Sequence, residues 1–213
     1  MLRIVLALVL VSMVMGEGCC PYDVWEGTLG LVTGTEEGGE AHLTLGSLNL
    51  HVNSARKVIV SEVGLEVDQE PFQLKAIQDY NEGTEFKIAD GYCTKKQKQF
   101  PTWKSYCIPD DAEVVQNTYI GAGSEKVAVK TYSYKENGLQ VYSTVTARGC
   151  IPIVSVKSGR TLEGVPTVTV EEFSGITQGV DDPSVFDIPS ICRHENPFER
   201  FLNLHRWRLS VLP

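Results

Sequence analysis

From Val24 onward the chain alternates apolar and polar residues in short runs rich in Val, Ile, Leu, Thr and Tyr, broken by turn clusters and with almost no helical recurrence. Period-two alternation puts successive side chains on opposite faces of a strand, and many short strands between glycine-rich turns indicate an antiparallel all-β domain. The pattern predicts strands at 25–32, 41–45, 48–52, 57–62, 72–79, 84–89, 114–120, 126–134, 139–148, 153–157 and 167–173. Turns are expected at Glu37-Gly38-Gly39, Asn81-Glu82-Gly83, Gly121-Ala122-Gly123 and Asn137-Gly138, where glycine supplies positive φ. Asn137-Gly138 is the clearest hairpin signal. It joins two alternating arms, with Val127 and Val129 on one face and Ala128, Lys130 and Tyr132 on the other.

Three segments break this pattern. Residues 1–16 carry one positive charge, an apolar core and a small residue suited to cleavage, the form of a secretory signal peptide. The apolar run stops at Gly16-Glu17-Gly18, short of the roughly 20 residues that a membrane span needs. Residues 95–106, charged and containing Pro101, read as a loop stapled between two cysteines with Phe100 and Trp103 tucked inward. Residues 194–213 form a distinct tail: Asn196 and Pro197 suit a helix start, and Phe198, Phe201, Leu202, His205 and Leu209 follow helical spacing. The organisation expected is a leader at 1–16, one β domain at 17–193 and an amphipathic C-terminal tail at 194–213.

Composition narrows the function. With 27 acidic and 19 basic residues the formal charge is −8, and losing Arg3 with the leader makes it −9. Such a surface repels phosphate backbones and excludes nucleic acid as a broad-surface partner. The six cysteines, Cys19, Cys20, Cys93, Cys107, Cys150 and Cys192, are an even set in a chain expected outside the cell, so a disulfide framework is predicted. No C-x-x-C couple supports zinc. A bridge between adjacent Cys19 and Cys20 would close a strained ring, because ordinary bridges hold Cα atoms roughly 4.4 to 6.8 Å apart, so both are expected to reach elsewhere.

The motifs add identity. Cys19-Cys20-Pro21 with Trp25-Glu26-Gly27, Asp79-Tyr80, Asp90-Gly91-Tyr92-Cys93, Cys107-Ile108-Pro109, Cys150-Ile151-Pro152 and the run from Gly179-Val180-Asp181-Asp182-Pro183 to Ile188-Pro189-Ser190-Ile191-Cys192 follow one another in this order. In that order the chain resembles the ependymin family over residues 19–192. The resemblance implies two stacked, strongly curved antiparallel sheets, a half-barrel like that of bacterial periplasmic lipoprotein carriers, enclosing a hydrophobic pocket. It also implies a secreted homodimer, a bridge from the amino-terminal cysteine region to Cys150 and another from Cys93 to Cys192. Cys107 would then pair with Cys19 or Cys20.

Reactive groups are sparse. None of the four histidines, His42, His51, His194 and His205, sits in a metal or hydrolase motif, and Gly121-Ala122-Gly123 lacks the rest of a phosphate loop. No enzymatic activity and no required cofactor are expected. Calcium is considered because Asp110-Asp111 and Asp181-Asp182 offer hard oxygen ligands, with Asp181 and Asp182 the candidate pair, although no EF-hand loop is present. Ependymins are described as calcium-binding glycoproteins; this chain departs from them in having no N-x-[ST] acceptor. The expected function is a binder or carrier of lipids, fatty acids or other hydrophobic molecules. Its pocket wall is drawn from Leu43, Leu45, Leu74, Phe86, Ile88, Val127, Val129, Val141, Val145, Val168 and Val170. A dozen buried methylenes at roughly 0.8 kcal/mol each would supply about 10 kcal/mol gross. Tyr132, Tyr134 and Tyr142 are candidates for a subunit interface. The competing expectation is a calcium-dependent extracellular-matrix or cell-adhesion protein.

Overall fold

Trp25, Leu29 and Leu31 on one side of a single strand, with Glu26, Thr28 and Val32 on the other, set the plan of the molecule: a sheet with two faces of different character. The computed structural model describes residues 19–193 apart from 68–69, 90, 99–102, 104–105 and 163, and the side chains of 64–67 and 70–73 are also outside the description. The predicted leader at 1–16 and tail helix at 194–213, with His194 and His205, lie outside the described residues.

Eleven strands follow in chain order: β1 Val24–Glu37, β2 Glu40–Asn53, β3 Val58–Val67, β4 Glu70–Asp79, β5 Thr84–Ala89, β6 Tyr92–Gln97, β7 Glu113–Ile120, β8 Val127–Glu136, β9 Leu139–Thr146, β10 Pro152–Arg160 and β11 Pro166–Gln178. Short 3-10 turns at Pro183–Phe186 and Ser190–Cys192 complete the described chain. The all-β, antiparallel class is as expected. The ladder is one continuous sheet in the order β6-β5-β4-β3-β2-β1-β11-β10-β9-β8-β7, and the β1–β11 pair joins its two halves.

Three local findings refine the sequence reading. Predicted segments 41–45 and 48–52 are one strand, because Gly46 stays in register opposite both Leu31 and Leu65. A strand was missed at β6, where the expected loop begins only after Gln97. Its Lys95 and Lys96 had argued against a strand, yet charged side chains are what an outermost strand uses to discourage edge pairing. The Asn137-Gly138 hairpin forms as predicted, with both residues at positive φ, 50° and 84°, the requirement of the tight turn between β8 and β9. Gly27 sits where the β1–β11 register shifts; a Cβ there would come within 2.8 Å of Ile176 Cγ1.

Every strand pairs with its neighbour in sequence except across β1–β11, which leaves consecutive strands β6 and β7 on opposite edges. Ten inter-strand spacings of about 4.8 Å put a flat sheet's edges about 48 Å apart. Sixteen residues from Gln97 to Glu113 reach at most about 58 Å. With so little slack, the connection crosses a face of the sheet. That topology brings Trp103 and Tyr106 onto the face carrying Trp25, Leu29, Leu31, Leu48, Leu50, Val52, Ile59, Val63, Leu74 and Phe173. We call this the inner face.

The opposite, outer face has its own apolar cluster of Val58, Val60, Ile77, Phe86 and Cys93, covered by the closing segment after β11 through Val180, Val185, Phe186 and Cys192. Asp182 starts the first 3-10 turn, its Oδ1 accepting from the Ser184 amide at 2.9 Å. Three disulfides tie the layers: Cys19–Cys150, Cys20–Cys107 and Cys93–Cys192, with sequence separations of 131, 87 and 99. The first holds the amino-terminal segment to the β9–β10 turn, the second holds it to the crossing connection, and the third holds the closing segment to β6.

Candidate functional site

The inner face is built by register. Leu29 lies opposite Leu48 on one side and Phe173 on the other, Val52 opposite Trp25 and Ile59, and Val63 opposite Leu48 and Leu74. The result is an apolar strip across β4, β3, β2, β1 and β11. Tyr106 stands edge-on to Trp25 at 5.4 Å and to Phe173 at 5.9 Å between ring centroids, and Trp103 stands edge-on to Tyr80 at 4.9 Å. Among the described residues, aromatic rings from an irregular segment cover this strip.

Buried charge flanks the strip on both sides. On β5, alternation turns Phe86 and Ile88 outward and Glu85 and Lys87 inward. Glu85 is only 3% exposed. Its carboxylate accepts from Lys98 Nζ at 2.8 Å and Gln78 Nε2 at 3.2 Å, with Lys87 Nζ 3.6 Å away. Burial alone would raise the Glu85 pKa, but the Lys98 hydrogen bond, the two ammonium charges and Gln78 outweigh it and hold the group below the usual carboxylate range. Burial pulls the Lys87 pKa down against the attraction of Glu85, with Lys98 and Lys96 adding repulsion. Beside them is a cavity of about 20 Å³ lined by Leu48, Ser61, Val63, Ala76, Gln78, Glu85 and Lys87.

On the far side, Lys157 of β10 pairs with Glu171 at 3.0 Å and Glu136 at 3.4 Å. Burial, with the Glu171 charge next in weight, pushes the Tyr106 hydroxyl above the ordinary phenol range, and burial and Glu136 do the same to Tyr134. Trp25 Nε1 and Ser155 Oγ are buried on this face without a hydrogen-bond partner among the described residues. Each such atom costs about 1–3 kcal/mol until something polar meets it.

The predicted wall residues divide between the faces. Leu74, Val141 and Val145 are buried on the inner face. Phe86 and Ile88 lie under the closing segment. Alternation puts Val127 and Val129 on the outer face. Leu43, Leu45 and Val168, 54%, 43% and 52% exposed, join Val170 on the outer face around Val32. Tyr142 also belongs to this outer patch, opposite Val156, whereas Tyr132 and Tyr134 alternate to the inner face. Sequence reasoning missed the principal inner-face residues, Trp25, Leu29, Leu31, Leu48, Leu50, Val52 and Phe173, and the charged pair on β5. The spacing of Glu85 and Lys87 inside an apolar strand was the available signal.

Asp181 and Asp182, the candidate calcium pair, lie at the start of the closing segment. Asp182 is engaged in its turn, the Asp181 amide donates to Glu26 Oε1 at 3.3 Å, and no group of three His, Cys, Asp or Glu suited to a metal occurs among the described residues. Glu26 meets His51 at 3.1 Å instead. No helix among the described residues is long and apolar enough to cross a membrane.

Fold and site together define a disulfide-tied, single-sheet β protein with one face roofed by its own connection. The Ependymin family model matches residues 68–192, more than half of the chain, and the chain belongs to the ependymin family. It is similar to development-specific protein LVN1.2 of Lytechinus variegatus, 31% identical over 139 residues, covering 58% of this chain and 73% of that protein. It is also similar to ependymin-related protein 1 of Haliotis asinina, at 27% identity over 55% of this chain and 64% of the other. Mammalian ependymin-related protein 1 of Mus musculus matches at 28% over 55% and 53%. The chain thus spans less than two thirds of the length of the latter two relatives. Among solved structures, a LolA superfamily protein from Nitrosomonas europaea overlaps 79% of this chain and 91% of its own at a TM-score of 0.35 and 9% identity. A DUF1329 family protein from Desulfovibrio piger overlaps 76% and 89% at 0.33 and 8%. No function is read from overlaps this loose.

Proposed function

We propose that this chain is an exported binder of hydrophobic molecules, with the inner face as its binding surface and no reaction of its own. The observation that carries the reading is the inner strip: ten buried apolar side chains on one sheet face, roofed among the described residues by Trp103 and Tyr106 and bordered by buried ion pairs. An apolar guest packs along this strip where the two rings now lie. The partnerless Trp25 Nε1 and Ser155 Oγ offer donors to its polar atoms. Such recognition needs area and a few polar contacts, not reactive groups. Family membership supports the reading, and three disulfides suit an oxidising compartment.

The test is recovery of the protein from a secreting eukaryotic host, native mass spectrometry, and organic extraction. A bound lipid near one per chain, or stoichiometric uptake of a fluorescent fatty acid that quenches tryptophan emission, supports the proposal. A bare protein that takes up no amphiphile overturns it.

A second observation supports the homodimer. Val32, Leu43, Leu45, Val168 and Tyr142 are each more than 40% exposed and lie on the outer face of β1, β2, β11 and β9, with Val156 of β10 opposite Tyr142. Contiguous apolar surface of this kind marks an interaction site. We propose that two copies meet there; sedimentation of a Leu43→Ser/Leu45→Ser variant as a monomer beside a dimeric parent supports this, and a monomeric parent refutes it.

A further inference from the structure

The two charged borders of the inner face differ in sign. Around β5 and β6, Lys87 and Lys98 share Glu85, two positive charges against one negative, for +1 within the ion-paired cluster. Across β8, β10 and β11, Lys157 is shared by Glu136 and Glu171, for −1 within that ion-paired cluster. Six inter-strand spacings separate β5 from β10, about 29 Å along the sheet, with the apolar strip between them. A guest lying along the strip therefore meets a field with a direction.

The positive border also has a place for a small polar group. The cavity beside Lys87 has room for about one water-sized atom. Its wall combines the apolar Leu48, Val63 and Ala76 with Ser61, Gln78, Glu85 and Lys87, so an oxygen placed there reaches ammonium, hydroxyl and amide donors while the chain behind it enters the apolar strip. Lys87 is held in this position by Glu85, whose tighter partner is Lys98. A carboxylate already shared between two ammonium groups leaves Lys87 under-neutralised in a setting that penalises its charge.

We propose that Lys87 anchors the head group of a long-chain anionic amphiphile, with Ser61 and Gln78 beside it and the hydrocarbon chain running from β5 toward β1 across the inner face. This rests on the hydrophobic-binder reading and adds the class and orientation of the guest. The guest's acidic oxygen enters the cavity and forms a charge-assisted contact with Lys87 beside that of Glu85. The negative border at Glu136 and Glu171 disfavours the reverse orientation.

The experiment uses the full disulfide-bonded chain and compares cis-parinaric acid, its methyl ester and a long-chain alkyl phosphate by direct fluorescence titration. The acid is expected to bind at least about tenfold more tightly than the ester. Lys87→Met removes that preference while leaving ester binding intact, Lys87→Arg retains it, and the exposed outer-face Lys135→Met changes nothing. If Lys87→Met fails to fold, Glu85→Gln tests the same point: with the resident carboxylate gone, acid affinity rises. Tighter binding of the phosphate than of the acid identifies lipid phosphate as the natural source, and the reverse identifies free fatty acid; both uphold the anchor. Equal binding of acid and ester, or an unchanged preference in Lys87→Met, overturns the anchor while the binder reading stands. Failure of all three probes overturns both.

Discussion

Phe186 is the apolar plug of the closing segment, and Phe186→Ala tests whether that segment is part of the core. Its ring is 4% exposed and packs with Val58, Val60, Ile77 and Phe86, with the Arg56 guanidinium 5.8 Å from the ring centroid. Burying a phenylalanine removes roughly 150–250 Å² from water, about 4–6 kcal/mol gross at 25 cal/mol/Å². Alanine keeps part of that, and buried Phe→Ala changes fall at about 3–5 kcal/mol. The Cys93–Cys192 bridge prevents the segment from simply leaving, so a cavity remains over β3 and β5. We expect a loss of about 3–4 kcal/mol in urea unfolding with disulfides intact and the m-value unchanged. In a Cys93→Ala/Cys192→Ala background the same substitution should cost less, because the untethered segment already detaches in part. That background itself forfeits about 4.7 kcal/mol on the chain-entropy account of a loop of about 100 residues. A loss below about 1 kcal/mol in the bridged protein would refute the packing argument.

Three further outcomes follow from the same geometry. Burial, followed in weight by nearby Tyr106, Glu171 and Glu136 respectively, raises the phenol pKa values of Tyr80, Tyr106 and Tyr134. Their contribution is therefore fully present below the unfolded phenol value of about 10 and is lost as pH climbs toward the folded values, so part of the tyrosinate absorbance should emerge only as circular dichroism reports unfolding. Glu85 has a lowered pKa, so its stabilisation is present above the ordinary Glu value of about 4.3 and lost as pH falls through the folded value. Glu85→Gln should cost about 1–3 kcal/mol at neutral pH and flatten the acid limb of stability below pH about 4; an unchanged limb counts against the pairing with Lys87 and Lys98. Gly27→Ala should cost about 1–3 kcal/mol in thermal or urea unfolding because its Cβ crowds Ile176 at the β1–β11 irregularity, and a neutral effect would show that the bulge relaxes freely.

The strands were legible because alternation is local. Predicted 84–89 coincides with β5, and Asn137-Gly138 forms the turn it advertises. What alternation does not reveal is which of two faces will be covered and by what. Leu43, Leu45 and Val168 looked like pocket wall because they are apolar at strand spacing, yet they lie exposed on the outer face; Leu48 and Leu50, a few residues along the same strand, are buried on the inner one. The difference is parity across one continuous strand: reading 40–53 as two strands broken at Gly46 hid the fact that Leu45 and Leu48 point to opposite faces. Glu85 and Lys87 were legible only as strand polarity, since their value as a buried pair depends on Gln78 of β4 and on Lys98, just past β6, which the fold brings alongside.

The crossing connection explains why this sheet has a covered inner face at all. A meander whose ends pair as β1 and β11 strands its β6–β7 link on opposite edges, and the described part of that link, at Trp103 and Tyr106, lies over the inner face. At its described positions this link seals the apolar face with rings rather than with a second sheet. Trp103 and Tyr106 provide that seal, and Cys107, bonded to Cys20, fixes where it ends. The same topology leaves the outer face without a connection to cover its β1–β11 region, because the closing segment runs instead toward β6, where Cys192 meets Cys93. One face is thus roofed by replaceable side chains and the other is partly bare. The proposed apolar guest belongs to the first face and the proposed second copy to the other.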